Sequence, residues 1–101
     1  MTKIIISKDA HRDTDDIFLY ISARDNREVA NKQVENIYRT IAFLENTPNI
    51  GMQLKNRLNV DTDYRFLVSG KYLIFYKLTK DKVNIVRIID GRRDWISLLR
   101  F

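Results

Sequence analysis

The spacing of apolar residues changes from a helical period to a strand period along the chain, and this change most restricts the possible folds. In the first half, Ala30, Val34, Ile37, Ile41 and Leu44 recur at intervals of four, three, four and three residues. Such intervals are typical of the buried side of an α-helix. After residue 63, aromatic and β-branched residues fill short segments separated by turn residues, which is typical of strands. The sequence therefore predicts an α+β fold.

The N-terminal segment predicts one strand followed by one helix. Residues 3–7 contain three consecutive isoleucines, which favour a buried strand. A helix is predicted from Asp9 to about Ala23, because apolar residues share one of its faces. The other face carries charged residues, namely Arg12, Asp13, Asp15, Asp16 and Arg24. We expect these charged side chains to be hydrated.

A polar break at residues 25–27, with Asn26 as N-cap, joins this helix to the helix that contains the clearest repeat. Taken alone, the repeat could also form a coiled-coil seam. It covers only two heptads, however, and three to four are needed before a coiled coil is preferred. We therefore predict an antiparallel helical hairpin lying on a sheet. Pro48 and Gly51 end the second helix.

The C-terminal half predicts an antiparallel meander. Strands are expected at residues 64–68, 71–78 and 83–89, with turns at Ser69-Gly70 and Lys80-Asp81. Residues 53–62 show no period and are predicted to be a connector with, at most, one short strand. A short last helix is capped by Asp94 and carries Trp95, Leu98 and Leu99, with Phe101 as a terminal plug.

The predicted order is β-α-α-β-β-β-α, with the hairpin covering one face of the sheet and the other face at least partly open. Without a repeat, linker or low-complexity tract, residues 1–101 are expected to form a single domain. No segment is apolar enough to span a membrane or to act as a secretory signal, so a cytoplasmic protein is expected.

Composition restricts the chemistry. The 101 residues include no cysteine and one histidine, His11, which excludes thiolate chemistry and leaves mainly carboxylates as metal ligands. No phosphate-binding glycine loop or metal-ligand spacing occurs. We therefore predict no metal and no other cofactor, and no small-molecule substrate.

Positive charge is concentrated in the second half. Residues 1–50 hold seven Lys or Arg and eight Asp or Glu, whereas residues 51–101 hold eleven and five, for a net charge of +6. Clustered cations attract anionic partners such as nucleic acid or an acidic protein segment. An ordinary solvated surface remains the alternative.

Several segments, in this order and spacing, resemble the RelE/ParE superfamily of bacterial toxins. They are the helix segment Asp16–Ile21, the breaker Leu44–Gly51, the strand pair from Tyr64 through Gly70 to Tyr76, and the ending Ile85–Trp95. The resemblance spans nearly the whole chain. It implies a protein that arrests growth and is neutralised by a cognate antitoxin with an amphipathic segment. One branch of the superfamily cleaves mRNA on the ribosome, and the other poisons DNA gyrase.

Metal-free RNA cleavage would need cations at the phosphate and a group that moves the proton of the 2′-hydroxyl. Arg65, Arg92 and Arg93 are the candidate catalytic cations, with Asp90 or a tyrosine as the proton carrier. We expect the three arginines to gather at one end of the sheet. The wider candidate target-binding set comprises Lys55, Arg57, Arg65, Lys71, Arg87, Arg92, Arg93, Trp95 and Phe101.

Two departures from the RNA-cleaving branch favour the gyrase-type branch. That branch commonly carries an arginine directly after the first tyrosine of the strand that matches Tyr72–Tyr76, where this chain has Leu73. Several of its members also have a histidine near the end of the last strand, where this chain has Ile89-Asp90-Gly91. A ribosome-dependent mRNA endonuclease is the alternative, and a plain nucleic-acid-binding module ranks third because no RNA-binding signature is present.

Overall fold

The computed structural model describes residues 2–99. In chain order, its strands and helices are β1 (Lys3–Ile6), α1 (Lys8–Arg24), α2 (Arg27–Ala42), a 3-10 helix (Phe43–Glu45), β2 (Met52–Gln53), α3 (Lys55–Leu58), β3 (Arg65–Ser69), β4 (Tyr72–Thr79), β5 (Lys82–Asp90) and α4 (Trp95–Leu99). The predicted α+β architecture, with an N-terminal hairpin and a short C-terminal helix, is confirmed. Within the described residues, no helix is long and apolar enough to cross a membrane.

The five strands form one sheet in the order β1-β5-β4-β3-β2. The meander β3-β4-β5 is antiparallel, as predicted. The turn that joins its first two strands is at Gly70-Lys71, one residue later than predicted, because Ser69 still pairs with Tyr72 in the β3–β4 ladder. The first strand adds a parallel pair at one edge, because it lies beside β5 with Ile4 opposite Val83. The sequence did not predict this pairing. Short α3 was also missed, since four residues are too few to show a helical period.

Side-chain caps begin both long helices. The Ser7 hydroxyl accepts a hydrogen bond from the Ala10 N–H at 3.0 Å, and the Asn26 side chain accepts one from the Val29 N–H at 2.9 Å. Each cap satisfies an N–H that the first helical turn leaves unpaired. Residues Asp25 and Asn26 thus separate α1 from α2.

The main core lies between the hairpin and the sheet. Its buried members are Ala10, Ile37, Ile41, Leu44, Tyr72, Ile74, Tyr76, Val83, Ile85 and Ile88. The alternating residues of β4 and β5 that point toward the helices supply most of this set, which follows from the two-residue period of a strand. A bulge opposite Phe75 and Tyr76 shifts the register of β5.

A second apolar cluster covers part of the opposite sheet face. Its buried members are Leu54, Phe75, Ile89 and Leu99, and Leu58, Tyr64, Phe66, Leu73, Trp95 and Leu98 pack against them. Residues on or beside α3 and α4 therefore pack on this face, which we call the second face. Only part of the second face is covered, in agreement with the expectation of a partly open sheet.

A tyrosine fixes the loop that leads from the hairpin back to the sheet. The Tyr76 hydroxyl donates to the Pro48 carbonyl at 2.9 Å and accepts from the Gly51 N–H at 2.8 Å. A Cβ at Gly51 would lie 2.6 Å from Cε1 of Tyr76. Glycine is therefore required at position 51 by the close approach of the tyrosine ring.

Candidate functional site

The turn between β3 and β4 lies beside the end of β5. Tyr72 is opposite Asp90 in the β4–β5 ladder, and the Gly91 N–H donates to the Lys71 carbonyl at 2.8 Å. We call this part of the molecule the cationic end. It is defined by Lys71, Tyr72, Asp90, Arg92 and Arg93. Two of the three predicted catalytic arginines, Arg92 and Arg93, are therefore brought together here.

A cavity of about 370 Å³ opens at the cationic end, between α1 and the last residues of β5. Its walls carry acidic, basic, aromatic and aliphatic side chains: Asp13, Asp16, Asp90, Arg92, Arg93, Tyr20, Tyr72, Ile17 and Ile88. Such a mixture suits a peptide segment with both apolar and charged side chains better than it suits a small anion. The cavity is therefore a candidate contact point for a protein partner.

Asp90 is held in its charged form by Arg92. Its carboxylate accepts hydrogen bonds from the Arg92 guanidinium at 2.8 and 3.1 Å and from the Arg92 backbone N–H at 2.9 Å. Hydrogen bonding to the Arg92 side chain lowers the pKa of Asp90 below its ordinary value. A carboxylate with a lowered pKa is a poor general base, so this geometry suits Asp90 to stabilising the turn and positioning Arg92.

Tyr72 is buried in the main core and lines the cavity. Burial raises the pKa of Tyr72 above its ordinary value, and the negative charge of Asp90 raises it further. Tyr72 is therefore a neutral phenol at pH 7. The Lys71 ammonium lies 5.8 Å from the centroid of the Tyr72 ring, a distance typical of a cation–π contact.

Arg65 lies away from the cationic end, contrary to the expectation that three arginines gather there. In the β3–β4 ladder Arg65 is opposite Tyr76, whereas Ser69, four residues further along β3, is opposite Tyr72. Four residues of strand correspond to about 13 Å. The Arg65 guanidinium donates to the carbonyls of Asn49 and Gly51, at 3.2 and 2.9 Å. These contacts tie Arg65 to the loop after α2.

Arg87 is also committed to internal contacts. Its guanidinium makes two hydrogen bonds to the Asp13 carboxylate, at 2.8 and 2.9 Å, and a third to the Leu98 carbonyl at 3.3 Å. The hydrogen bond to Asp13 raises the pKa of Arg87 above its ordinary value. Arg87 therefore connects α1, β5 and α4, and the structure gives it a stabilising position.

The remaining predicted cations occupy the β2–β3 side of the sheet. The Arg57 guanidinium lies 6.0 Å from the centroid of the Phe66 ring and 3.7 Å from the Met52 sulfur. Lys55 lines a separate cavity of about 350 Å³ together with Tyr64 and Arg65. Lys55 and Arg57 are thus not part of the cationic end.

Trp95 packs on the second face of the sheet and is not among the residues that line the cavity at the cationic end. Its ring centroid is 5.4 Å from that of Phe75, at an interplanar angle of 34°, and its side chain belongs to the second apolar cluster. Phe101, the other predicted aromatic contact, lies outside the described residues. His11 is exposed on α1.

The residues at or near the cationic end that were not predicted as site residues include Tyr20, Arg24 and Asp13. Tyr20 is 57% exposed and lines the cavity, and the Arg24 guanidinium lies 5.4 Å from the centroid of the Tyr20 ring. An exposed aromatic residue outside the apolar face of α1 is the signal that could have identified Tyr20. Asp13 was predicted to be hydrated, but its side chain is only 11% exposed because of its pairing with Arg87.

Among residues 2–99, no group of three or more His, Cys, Asp or Glu side chains is arranged to hold a metal ion. The cavity at the cationic end brings together two exposed arginines, a neutral tyrosine and an exposed aromatic ring, groups that can bind a charged and partly apolar partner.

The sequence matches the family described as the ParE toxin of the type II toxin-antitoxin system, parDE, over residues 4–95. Among solved structures, the chain is similar to a chain of the chromosomal ParDE TA system from P. aeruginosa, with a TM-score of 0.75 and 19% sequence identity. The similarity covers 89% of this chain and 96% of that chain, and it shows a shared fold. No curated protein matches the sequence. Because the family match spans nearly the whole chain, this protein belongs to the ParE toxin family of type II toxin–antitoxin systems, within the RelE/ParE superfamily.

Proposed function

We propose that this type II toxin arrests growth by binding DNA gyrase and that it does not cleave RNA. The observation that carries the proposal is the place of Leu73, which packs against the second apolar cluster where RNA-cleaving relatives commonly carry an arginine. Two further predicted cations are held by internal contacts, because Arg65 binds loop carbonyls and Arg87 binds Asp13. Both observations support a gyrase target over a phosphate clamp of the RNA-cleaving kind.

Proton transfer gives a second argument. Asp90 is a poor base because Arg92 lowers its pKa, and His11 lies on α1, outside the set of residues that line the cavity at the cationic end. Cleavage at a 2′-hydroxyl needs a group that accepts its proton. The cationic end and the cavity that opens there supply binding groups, Arg92, Arg93 and Tyr20, better than they supply that base.

We propose that the same end receives the cognate antitoxin. Leu19 and Tyr20 on α1 are 65% and 57% exposed, and Tyr20 lines the cavity beside Arg92 and Arg93. An amphipathic segment with acidic residues would cover the apolar side chains and pair with the arginines. Charge attraction would hasten its capture, so association should slow as salt concentration rises.

A supercoiling assay with purified gyrase tests the proposed target. The toxin should inhibit supercoiling at micromolar concentration and stabilise cleaved DNA complexes. The double variant Arg92→Ala/Arg93→Ala should inhibit less. Arg27→Ala/Lys32→Ala, which removes the same charge from exposed positions on α2, should inhibit like the unmodified protein. Absence of inhibition would remove gyrase as the target.

A translating extract tests the alternative. Tyr72 is neutral and lies beside Arg92 in the cavity wall, so it is the group that could donate a proton if this protein were a ribosome-dependent endonuclease. We expect message to remain intact when the toxin is added. Cut message that disappears with Tyr72→Phe would instead establish the endonuclease.

A further inference from the structure

Part of the second face of the sheet is left open and carries lysines on three adjacent strands. The second apolar cluster uses residues 73 and 75 of β4 and residue 89 of β5. Further from α4, the outward-pointing residues of β1, β5 and β4 are Lys3, Ile5, Lys82, Asn84, Lys77 and Thr79. We call these six residues the lysine face.

Register and burial determine the direction of these side chains. Val83 and Ile85 are fully buried in the main core, so Lys82 and Asn84, which alternate with them, point to the second face. Tyr76 and Leu78 pack against the same core, which places Lys77 on the second face as well. Lys3 and Lys82 are exposed, and Ile5 is 37% exposed.

Like charges are placed side by side on this face. Lys3 is directly opposite Lys82 in the parallel β1–β5 ladder, where neighbouring strands are about 4.8 Å apart. Like charges on directly paired strand positions destabilise a sheet. Among residues 2–99, no carboxylate forms an ion pair with Lys3, Lys77 or Lys82. These ammonium groups are therefore not neutralised by an ion pair within the described part of the chain, which leaves them available to an external anion.

A strained backbone position keeps a fourth lysine at the border of this face. Lys80, in the turn between β4 and β5, has a φ of 47°, a region that L-residues other than Asn and Asp rarely adopt. Glycine would adopt this conformation without the steric cost. Lys80 therefore places a fourth exposed ammonium beside Lys82 at a backbone position that would suit glycine better.

Neutral hydrogen-bonding groups lie between the lysines. Asn84 donates to the Thr79 hydroxyl at 2.8 Å, and both groups are exposed to solvent at this contact. The Lys77 ammonium lies 4.6 Å from the centroid of the Tyr64 ring, which holds the charge above the sheet. Lys, Thr and Asn side chains are among those that contact the phosphates and sugars of DNA.

We propose that the lysine face, with Lys80 at its border, binds the phosphate backbone of duplex DNA. An acidic protein segment is the less suitable occupant, because peptides bind sheets by pairing with a free edge or by filling an apolar groove. Of the three strands in the lysine face, β1 lies at an edge of the sheet, whereas the backbone groups of β5 and β4 are paired on both sides. The one large apolar side chain of the face is Ile5. The proposal concerns the toxin alone and does not depend on gyrase as its target.

Binding of the purified protein to a short fluorescein-labelled duplex of arbitrary sequence, followed by anisotropy over a range of salt concentrations, tests the proposal. Each phosphate contact contributes about 0.9 to the slope of log K against log salt. The triple variant Lys3→Gln/Lys77→Gln/Lys82→Gln should therefore reduce the slope by about 2 to 3. The matched control, Arg27→Gln/Lys32→Gln/Arg39→Gln on α2, removes the same charge from the helix side and should leave the slope nearly unchanged.

Lys80→Gly separates binding from folding. Because glycine tolerates the positive φ, the Tm of this variant should rise. Because one cation is lost, the slope of log K against log salt for DNA binding should fall by about 1. An equal loss of slope in the α2 control would overturn the proposal, because net charge alone would then explain binding. Weaker binding of the triple variant to polyglutamate, with an unchanged DNA slope, would overturn it in favour of an acidic protein. Undetectable DNA binding by the unmodified toxin would also overturn it.

Discussion

Asp13 and Arg87 are 74 residues apart in sequence and form an ion pair with two hydrogen bonds, at 2.8 and 2.9 Å. The same carboxylate accepts the backbone N–H of Ile88 at 2.8 Å. This N–H lies beyond Ile85, the last residue of β5 that pairs with β1. The Asp13 carboxylate therefore accepts the β5 N–H that a further residue of β1 would have paired with. In this way it attaches α1 to the edge of the sheet.

Asp13→Asn should lower the free energy of unfolding by about 1–3 kcal/mol, because it leaves a partly buried guanidinium without its countercharge. Urea denaturation followed by circular dichroism measures the change. Asp15→Asn, an exposed position on the same helix, should stay within about 0.5 kcal/mol of the unmodified protein. Equal stability of the two variants would show that the pair contributes nothing.

Gly51→Ala should destabilise the protein by about 1–3 kcal/mol, because the added methyl group overlaps the Tyr76 ring. The tyrosine would have to move and would weaken its hydrogen bonds to Pro48 and Gly51. Thermal unfolding checks this. Gly91→Ala is the control, since the nearest atom to its Cβ would be 3.5 Å away. A Tm for Gly51→Ala equal to that of the control would contradict the packing argument.

Arg92→Gln should raise the pKa of Asp90 toward its ordinary value of 3.8. Because the folded pKa is below that value, the interaction stabilises the folded protein above pH 3.8 and is lost as the pH falls through the folded pKa. NMR titration of the Asp90 carboxyl carbon reports the shift. Arg93→Gln should change this pKa much less, because Arg93 donates its backbone N–H to the Asp90 carbonyl at 3.0 Å, whereas the guanidinium bound to the Asp90 carboxylate is that of Arg92. Similar shifts in both variants would argue against a specific pair.

Arg65→Gln should affect stability rather than target binding. It removes hydrogen bonds to two loop carbonyls and should cost about 0.5–1.5 kcal/mol, while the folded protein inhibits gyrase normally. Arg93→Gln should show the opposite behaviour, with stability within about 0.5 kcal/mol and weaker inhibition. Denaturant unfolding and supercoiling inhibition, measured on the same preparations, distinguish the two roles. If folded Arg65→Gln no longer inhibited gyrase, Arg65 would be part of the target-binding site.

Local patterns in the sequence predicted well those helices and strands that are long enough to show a periodic spacing of apolar residues. The hairpin follows from the apolar repeat of α2 and from Asn26, which can act as an N-cap wherever the helix finally packs. The meander follows from alternating residues around Ser69-Gly70. Short elements such as α3, and the parallel pairing of β1 with β5, escaped prediction because neither leaves a periodic signal.

The candidate site likewise contains residues that local sequence predicted correctly and residues that it did not. Arg92 and Arg93 were predicted together because they are adjacent in sequence, whereas Arg65 and Arg87 were grouped with them on charge alone. The charge of an arginine can be read from the sequence, but whether its guanidinium is free to bind a partner depends on the groups that pack beside it. The carbonyls of the loop at residues 49–51 engage Arg65, and Asp13 engages Arg87.

The amino-acid sequence by itself determined the α+β class, the hairpin, the meander and the family, because these depend on periodicity and on the order of short segments. Only the tertiary structure decided which cations remain free to meet a partner. Ion pairs and side-chain contacts between distant segments, such as Asp13 with Arg87, form when strand register and helix packing bring them within about 3 Å, and no local pattern encodes that distance.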